Sequence, residues 1–181
     1  MCGIAGIAST GIVRPETVRV MRHLLEHRGP DSAGEYVHPY CVLGVRRLRV
    51  IDLVTGEQPQ CEERRAIWTV FNGEIYNYRE LRERLLDAGH RFTTASDTEV
   101  IVHLYEEYGE AFVSHLDGMF ALAVWDSNRE RLVLARDRLG KKPLLYAEAG
   151  GTLTFASEHL ALISGLDGPP PDRQSNRLTT W

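Results

Sequence analysis

The residue with the plainest capacity for chemistry stands at the start of the chain, in Met1-Cys2-Gly3-Ile4. Once Met1 is removed, Cys2 carries a thiol nucleophile and a free α-amine together. In model peptides the amine titrates near ~7.7–8.0 and the thiol near ~8.5, so both change protonation state close to neutral pH. One residue can then serve as nucleophile and base. Downstream, Asn72 and Gly73 offer a side-chain amide and a backbone N–H that can face a single developing oxyanion. Donors of this kind are worth about 2.7–4 kcal/mol each in acyl transfer. Read alone, Asn-Gly is a strong turn dipeptide. Arg46, Arg47 and Arg49 interrupt an apolar strand, and strict alternation puts Arg47 and Arg49 on one face. An inward-facing arginine calls for an anion, and a carboxylate is its natural bidentate partner. A solvated strand edge would explain the same residues. Asp97 falls in the first turn of an expected helix, where the helix dipole alone would accommodate it. Together, a thiol, oxyanion donors, an arginine for a carboxylate and acidic groups for an ammonium describe a site for an amino acid with a reactive side-chain amide. Glutamine fits that description, and on chemistry alone so does asparagine.

Such residues need rigid elements behind them. Residues 2–8 are small and apolar and read as a buried strand. Pro15 suits the first position of a helix running to about Glu26, with Val18, Met21, Leu24 and Leu25 on one face. Short strands follow near 34–38 and 41–47. Residues 66–72 are β-branched and aromatic and read as a buried strand stopping at Gly73. Asn77 with Glu80, and Ser96 with Glu99, have the spacing of capping boxes opening helices that end before Gly89 and Gly109. Strand-like runs at 119–125, 131–136, 143–148 and 152–156 suggest one antiparallel meander, and a short helix covers 158–163. Strands with helices grouped between them indicate a layered α+β domain. The polar, proline-rich residues 165–181 read as a linker or tail.

Bulk properties narrow the function. The 181 residues carry a formal net charge of −4, which gives no electrostatic reason to expect a nucleic acid or an anionic membrane as partner. No apolar run approaches the ~18–20 residues of a membrane span, and no secretory signal opens the chain. Three scattered cysteines argue against a disulfide framework and fit a reducing cytoplasm. The seven histidines show no recognisable ligand spacing, so neither a metal nor another cofactor is expected.

Eight segments carry a resemblance. They are MCGIAGI (1–7), HRGPDSAG (27–34), LGVRRLRVIDL (43–53), FNGEIYNY (71–78), SDTEVI (96–101), LDGMFALAVWD (116–126), LARDRLGKKPLLY (134–146) and FASE (155–158). In this order they resemble the glutaminase domain of class II glutamine amidotransferases, in the asparagine synthetase branch. The resemblance covers residues 1–164 and implies the four-layer αββα fold of N-terminal nucleophile hydrolases. It implies Cys2 as nucleophile with its freed α-amine as base, and Asn72 with the Gly73 N–H as oxyanion hole. Arg47 would hold the α-carboxylate of L-glutamine, Glu74 and Asp97 its α-ammonium, and backbone groups around Val50 and Ile51 would orient it. Arg28 and Asp31 would order the loop over the site, and Arg136, Asp137 and Arg138 would form a structural ion network. Arg49 departs from the family's usual small hydroxyl residue and adds positive charge near the site. The relatives continue into a synthetase domain with an SGGxDS phosphate loop, and these 181 residues contain none. The expected activity is therefore glutamine hydrolysis that supplies ammonia to a synthetase on another chain or a further segment. The competing expectations are a non-catalytic module that binds such a synthetase, and an amide hydrolase of the same fold acting on another substrate.

Overall fold

The computed structural model describes residues 1–166. Nine strands form two antiparallel sheets. In the first, β2 (Ser32–His38), β3 (Cys41–Arg47), β1 (Gly3–Ser9), β9 (Thr152–Ala156) and β8 (Leu145–Ala149) lie side by side in that order. In the second the order is β4 (Gln60–Cys61), β5 (Ile67–Ile75), β6 (Gly118–Asp126) and β7 (Arg131–Arg136).

Period-two alternation sends each strand's side chains into two different cores. From β1 and β3, Ile4, Leu43 and Val45 meet Val70, Ala121 and Ala123 of β5 and β6 in a layer between the sheets. The opposite faces, with Ala5, Ile7 and Val42, take α1 (Pro15–His23) and α4 (His159–Ser164) through Val18, Met21 and Leu162. On the far side of the second sheet, Phe71, Ile75 and Leu122 pack beneath α2 (Tyr78–Asp87) and α3 (Glu99–Tyr108). The architecture is the expected α+β fold, a four-layer αββα sandwich of antiparallel sheets.

Several local expectations are corrected. β5 does not stop at Gly73 but pairs onward, Gly73 opposite Phe120 and Glu74 opposite Met119. Asn72-Gly73 is therefore strand, not turn. Glycine is required there because a Cβ would lie 2.1 Å from the Met119 carbonyl oxygen. The expected meander is split, since β6–β7 belongs to the second sheet and β8–β9 to the first. The crossing is held by side chains that bond to backbone groups. Asp137 accepts the N–H groups of Phe120, Leu139, Lys141 and Lys142, and Arg136 donates to the carbonyls of Gly140 and Lys142. Arg136 and Asp137 are thus structural, but they bind main chain instead of joining the ion network expected with Arg138.

The two capping boxes do not form. The Asn77 side chain accepts the Asp117 N–H at 3.0 Å and donates to the His115 carbonyl at 2.9 Å, so it clamps the approach to β6. Glu99 reaches back to the N–H and hydroxyl groups of Thr93 and Thr94, while Ser96 Oγ accepts the Thr98 N–H. α1 ends at His23, short of the expected Glu26, and a 3-10 turn at Glu26–Arg28 completes the segment. Leu166 packs on the α1/α4 core. From residue 167 the expected tail lies outside the described residues.

Candidate active site

The same alternation that builds the inner core carries four side chains to one end of it. Cys2 precedes β1 in the row of Ile4. Arg47 ends β3 in the row of Leu43 and Val45. Asn72 and Glu74 follow Val70 along β5. These rows open into one cleft whose wall includes Cys2, Arg47, Asn72, Gly73 and Glu74. Two loops close its sides, one bringing Val50 and Ile51 and the other bringing Asp97 just before α3. All the residues singled out for nucleophile, oxyanion and substrate contacts thus line a single cleft.

Cys2 is half-buried, and its Sγ contacts the Leu48 carbonyl oxygen at 3.7 Å. Burial pushes the thiol above its ordinary value, with the Leu48 contact, the terminal ammonium and Arg47 pulling the other way. The resting group is a thiol that needs a base. Arg28 fixes this end of the chain from behind, its Nε donating to the Cys2 carbonyl at 3.0 Å and its Nη1 pairing with Glu158 at 2.9 Å.

Asn72 is 1% exposed, and its Nδ2 has no hydrogen-bond partner among the described residues. Leaving such a donor unmatched in the folded state costs roughly 1–3 kcal/mol. Arg47 is 3% exposed. Three of its five N–H donors are engaged, by the carbonyls of Ile51 at 3.0 Å and Asp52 at 2.6 Å and by Glu57 at 3.2 Å. Ile51 therefore acts through its carbonyl, anchoring the arginine, and the Val50 side chain is exposed. Asp97 accepts the Ile75 N–H at 3.0 Å and does not cap α3. Burial raises its carboxyl to about 6, the Ile75 bond opposes this, and the charge of Glu74 adds to it.

The glutamine amidotransferase domain family matches residues 1–178. The chain belongs to that family. Among curated relatives, this amidotransferase domain is 44% identical over 169 residues to the glutamine-hydrolyzing asparagine synthetase 2 of Bacillus subtilis, covering 91% of this chain and 22% of the relative. It is 42% identical over 167 residues to the corresponding synthetase 2 of Oryza sativa subsp. japonica, covering 90% of this chain and 28% of the relative. The domain thus spans a quarter or so of the relatives' length. Among solved structures, glutamine phosphoribosylpyrophosphate amidotransferase from B. subtilis superposes with a TM-score of 0.74 at 24% identity, over 91% of this chain and 43% of the other. That likeness supports the shared fold.

The amidotransferase cleft also holds residues that sequence reasoning passed over. Gln58 bridges the walls, its Oε1 accepting the Phe71 N–H at 2.8 Å and its Nε2 donating to Thr98 Oγ1 at 3.4 Å. As a polar residue in an irregular segment it gave no signal. Lys142 is 6% exposed, lines the cleft and donates from Nζ to Met1 Sδ at 3.2 Å. It lies within a quoted motif, but nothing there distinguishes it from Lys141. Removal of Met1 would take away that contact. Arg49, expected to add charge near the site, instead pairs with Glu57 at 2.6 Å. The same carboxylate also meets Arg47, so one glutamate serves both arginines.

Proposed function

We propose that residues 1–164 hydrolyse L-glutamine through a thioester on Cys2 and that the ammonia serves an ATP-dependent amide synthetase. With Met1 removed, the Cys2 α-amine takes the thiol proton as Sγ attacks the side-chain carbonyl carbon of glutamine. The carbonyl oxygen becomes an oxyanion facing Asn72 Nδ2 and the Gly73 N–H. As it collapses, the C–N bond breaks and the amine's proton leaves with the amide nitrogen as ammonia. Water then attacks the thioester carbonyl, and glutamate departs as the thiol is restored. Arg47 meets the α-carboxylate, and Asp97 with Glu74 meets the α-ammonium.

The observation that carries this reading is the unpartnered Asn72 Nδ2, buried at 1% exposure in the cleft that holds Cys2. A donor left unmatched in the resting protein is matched when the oxyanion forms, so its interaction is made in the transition state alone. Asp97 supports the substrate class. A buried carboxyl held at about 6 beside Glu74 is relieved by an ammonium. The synthetase as ammonia acceptor is supported by the relatives' names and greater length. A thiol nucleophile also suits a reducing compartment such as the cytoplasm.

The test is release of glutamate and ammonia from glutamine by the processed chain, compared with Cys2→Ala. Hydrolysis that disappears in the variant supports the proposal. Glutamine binding without turnover in the processed chain would favour the non-catalytic module.

A further inference from the structure

On the helical side of the second sheet, away from the cleft, two histidines and two glutamates converge. Glu63 follows β4, His90 follows α2, and His103 and Glu106 lie one turn apart on α3. One ligand atom from each lies within 4.8 Å of the other three. In a four-coordinate zinc site with bonds of about 2.0–2.2 Å, the ligand atoms stand roughly 3.3–3.5 Å apart. Closing from the observed spacing takes small side-chain movements only.

His103 makes this more than a group of acids. It is 0% exposed, and neither ring nitrogen has a hydrogen-bond partner among the described residues. Nδ1 stands 3.8 Å from Glu63 and Nε2 stands 3.9 Å from Glu99, both beyond hydrogen-bond reach. An imidazole packed between Phe92 and His90 with both nitrogens unmatched carries an uncompensated burial cost. His90 has the same two-sided arrangement. Its Nδ1 faces Glu106 at 3.4 Å, and its Nε2 lies 2.8 Å from Glu107.

Each histidine thus turns Nδ1 towards an inner glutamate and Nε2 towards an outer one. Metal-bound histidines have this pattern, in which an outer carboxylate fixes the tautomer that leaves the other nitrogen's lone pair free. The charge count agrees. Four carboxylates surround two imidazoles, and a divalent cation would balance the inner pair.

We propose that Glu63, His90, His103 and Glu106 form a structural site for a divalent transition-metal ion of the zinc class, with Glu107 and Glu99 as its outer carboxylates. The N2O2 donor set suits Zn²⁺ or Co²⁺, and four protein ligands leave no position open for catalysis. The ion staples the segment after β4, the turn after α2 and α3. Through Glu99, which holds Thr93 and Thr94, it also braces the loop that presents Asp97 to the cleft. The spacing hid this site from the sequence, because the ligands come from three segments and only His103 and Glu106 are neighbours on a helix.

The experiment uses the full chain, stripped with a chelator, in a Cys2→Ser, Cys61→Ser background so that accessible thiols do not take the metal. Co²⁺ and Zn²⁺ are titrated, following the visible Co²⁺ bands, metal per chain after desalting, and Tm. The expected result is one equivalent per chain, the spectrum of nitrogen–oxygen four-coordination, and a raised Tm. His103→Gln abolishes uptake. Because that substitution is in the core, His90→Ala and Glu106→Gln, nearer the surface, are tested beside it and must each weaken binding at least tenfold. Glu107→Gln should weaken it about 10–100-fold. Failure of the stripped chain to bind one equivalent, or uptake that is unchanged in His90→Ala and Glu106→Gln, would overturn the site and leave a packed histidine with an adventitious ion only.

Discussion

At the scale of single residues, groups that bind substrate and groups that act on the transition state should respond differently to substitution. Asn72→Ala removes the buried, unpartnered donor and should lower kcat for glutamine hydrolysis by roughly 10²–10³ with little change in KM. A variant that kept its kcat would remove the side chain from the oxyanion role. Arg47→Lys keeps the charge but loses the fork that holds Ile51, Asp52 and Glu57. Loss of a charge-assisted bond costs about 1.5–3 kcal/mol, so KM for glutamine should rise roughly 10–150-fold while kcat changes much less. An unchanged KM would exclude Arg47 from carboxylate binding.

Asp97 gives a pH signature. Its carboxyl sits at about 6 against an ordinary 3.8, so below that value the free cleft holds a neutral acid. An ammonium substrate needs the carboxylate, and KM should therefore fall as pH rises through about 6 and level off above it. Asp97→Asn should raise KM and abolish the inflection. The linkage to stability has the opposite sign. A raised carboxyl favours the folded state at acidic pH, and that contribution is lost as pH rises from about 4 to about 6. A pH-independent KM across this range would refute the assignment.

At the scale of elements, two residues that read as local signals work through tertiary contacts. Gly73 looks like half of a turn dipeptide, yet it lies in a continuous strand pressed against the Met119 carbonyl. Gly73→Ala should therefore part β5 from β6 and destabilise the fold by about 1–3 kcal/mol. At roughly 2–4 °C of Tm per kcal/mol for a chain of this size, a melting curve reads it directly. Asn77 looks like a helix cap, yet it clamps His115 and Asp117. Serine would serve as well as asparagine at a cap. At a clamp it is too short, so Asn77→Ser and Asn77→Ala should both lose about 1–2 kcal/mol. Full stability in the serine variant would restore the capping interpretation. The sequence carried the strand and helix periods well because they depend on near neighbours. It did not carry the partner of each polar side chain, which depends on what the fold brings across. Glu99 shows the same thing, spending its carboxylate on Thr93 and Thr94 instead of the helix start.

At the scale of the whole molecule, the cleft is where two sheets and two loops meet, and its legibility was uneven. Cys2 was readable from its place behind Met1 and Arg47 as an arginine in an apolar strand, whereas Asn72, a turn residue when read alone, took its role from the motifs that carry the resemblance. Which sheet each C-terminal hairpin joins was not readable, since β6–β7 and β8–β9 have similar local patterns. The loop that carries the chain from one sheet to the other is held by the bonds of Arg136 and Asp137 to its backbone. Gln58, Lys142 and the histidine–glutamate cluster were invisible for a related reason, as each gains meaning only from distant partners. The central claim concerns the terminus, where Met1 must leave so that Cys2 holds both thiol and amine. The other thiols make a useful contrast. Cys41 is fully buried and burial pushes its thiol far up, and burial raises Cys61 as well. The most direct measurement treats the purified chain with a glutamine-analogue diazoketone and reads intact and peptide masses beside glutaminase activity. The account predicts a chain beginning at Cys2, one adduct located on Cys2, and loss of activity in proportion to labelling. Full activity with Met1 retained, or an adduct on Cys41 or Cys61 instead, would contradict it.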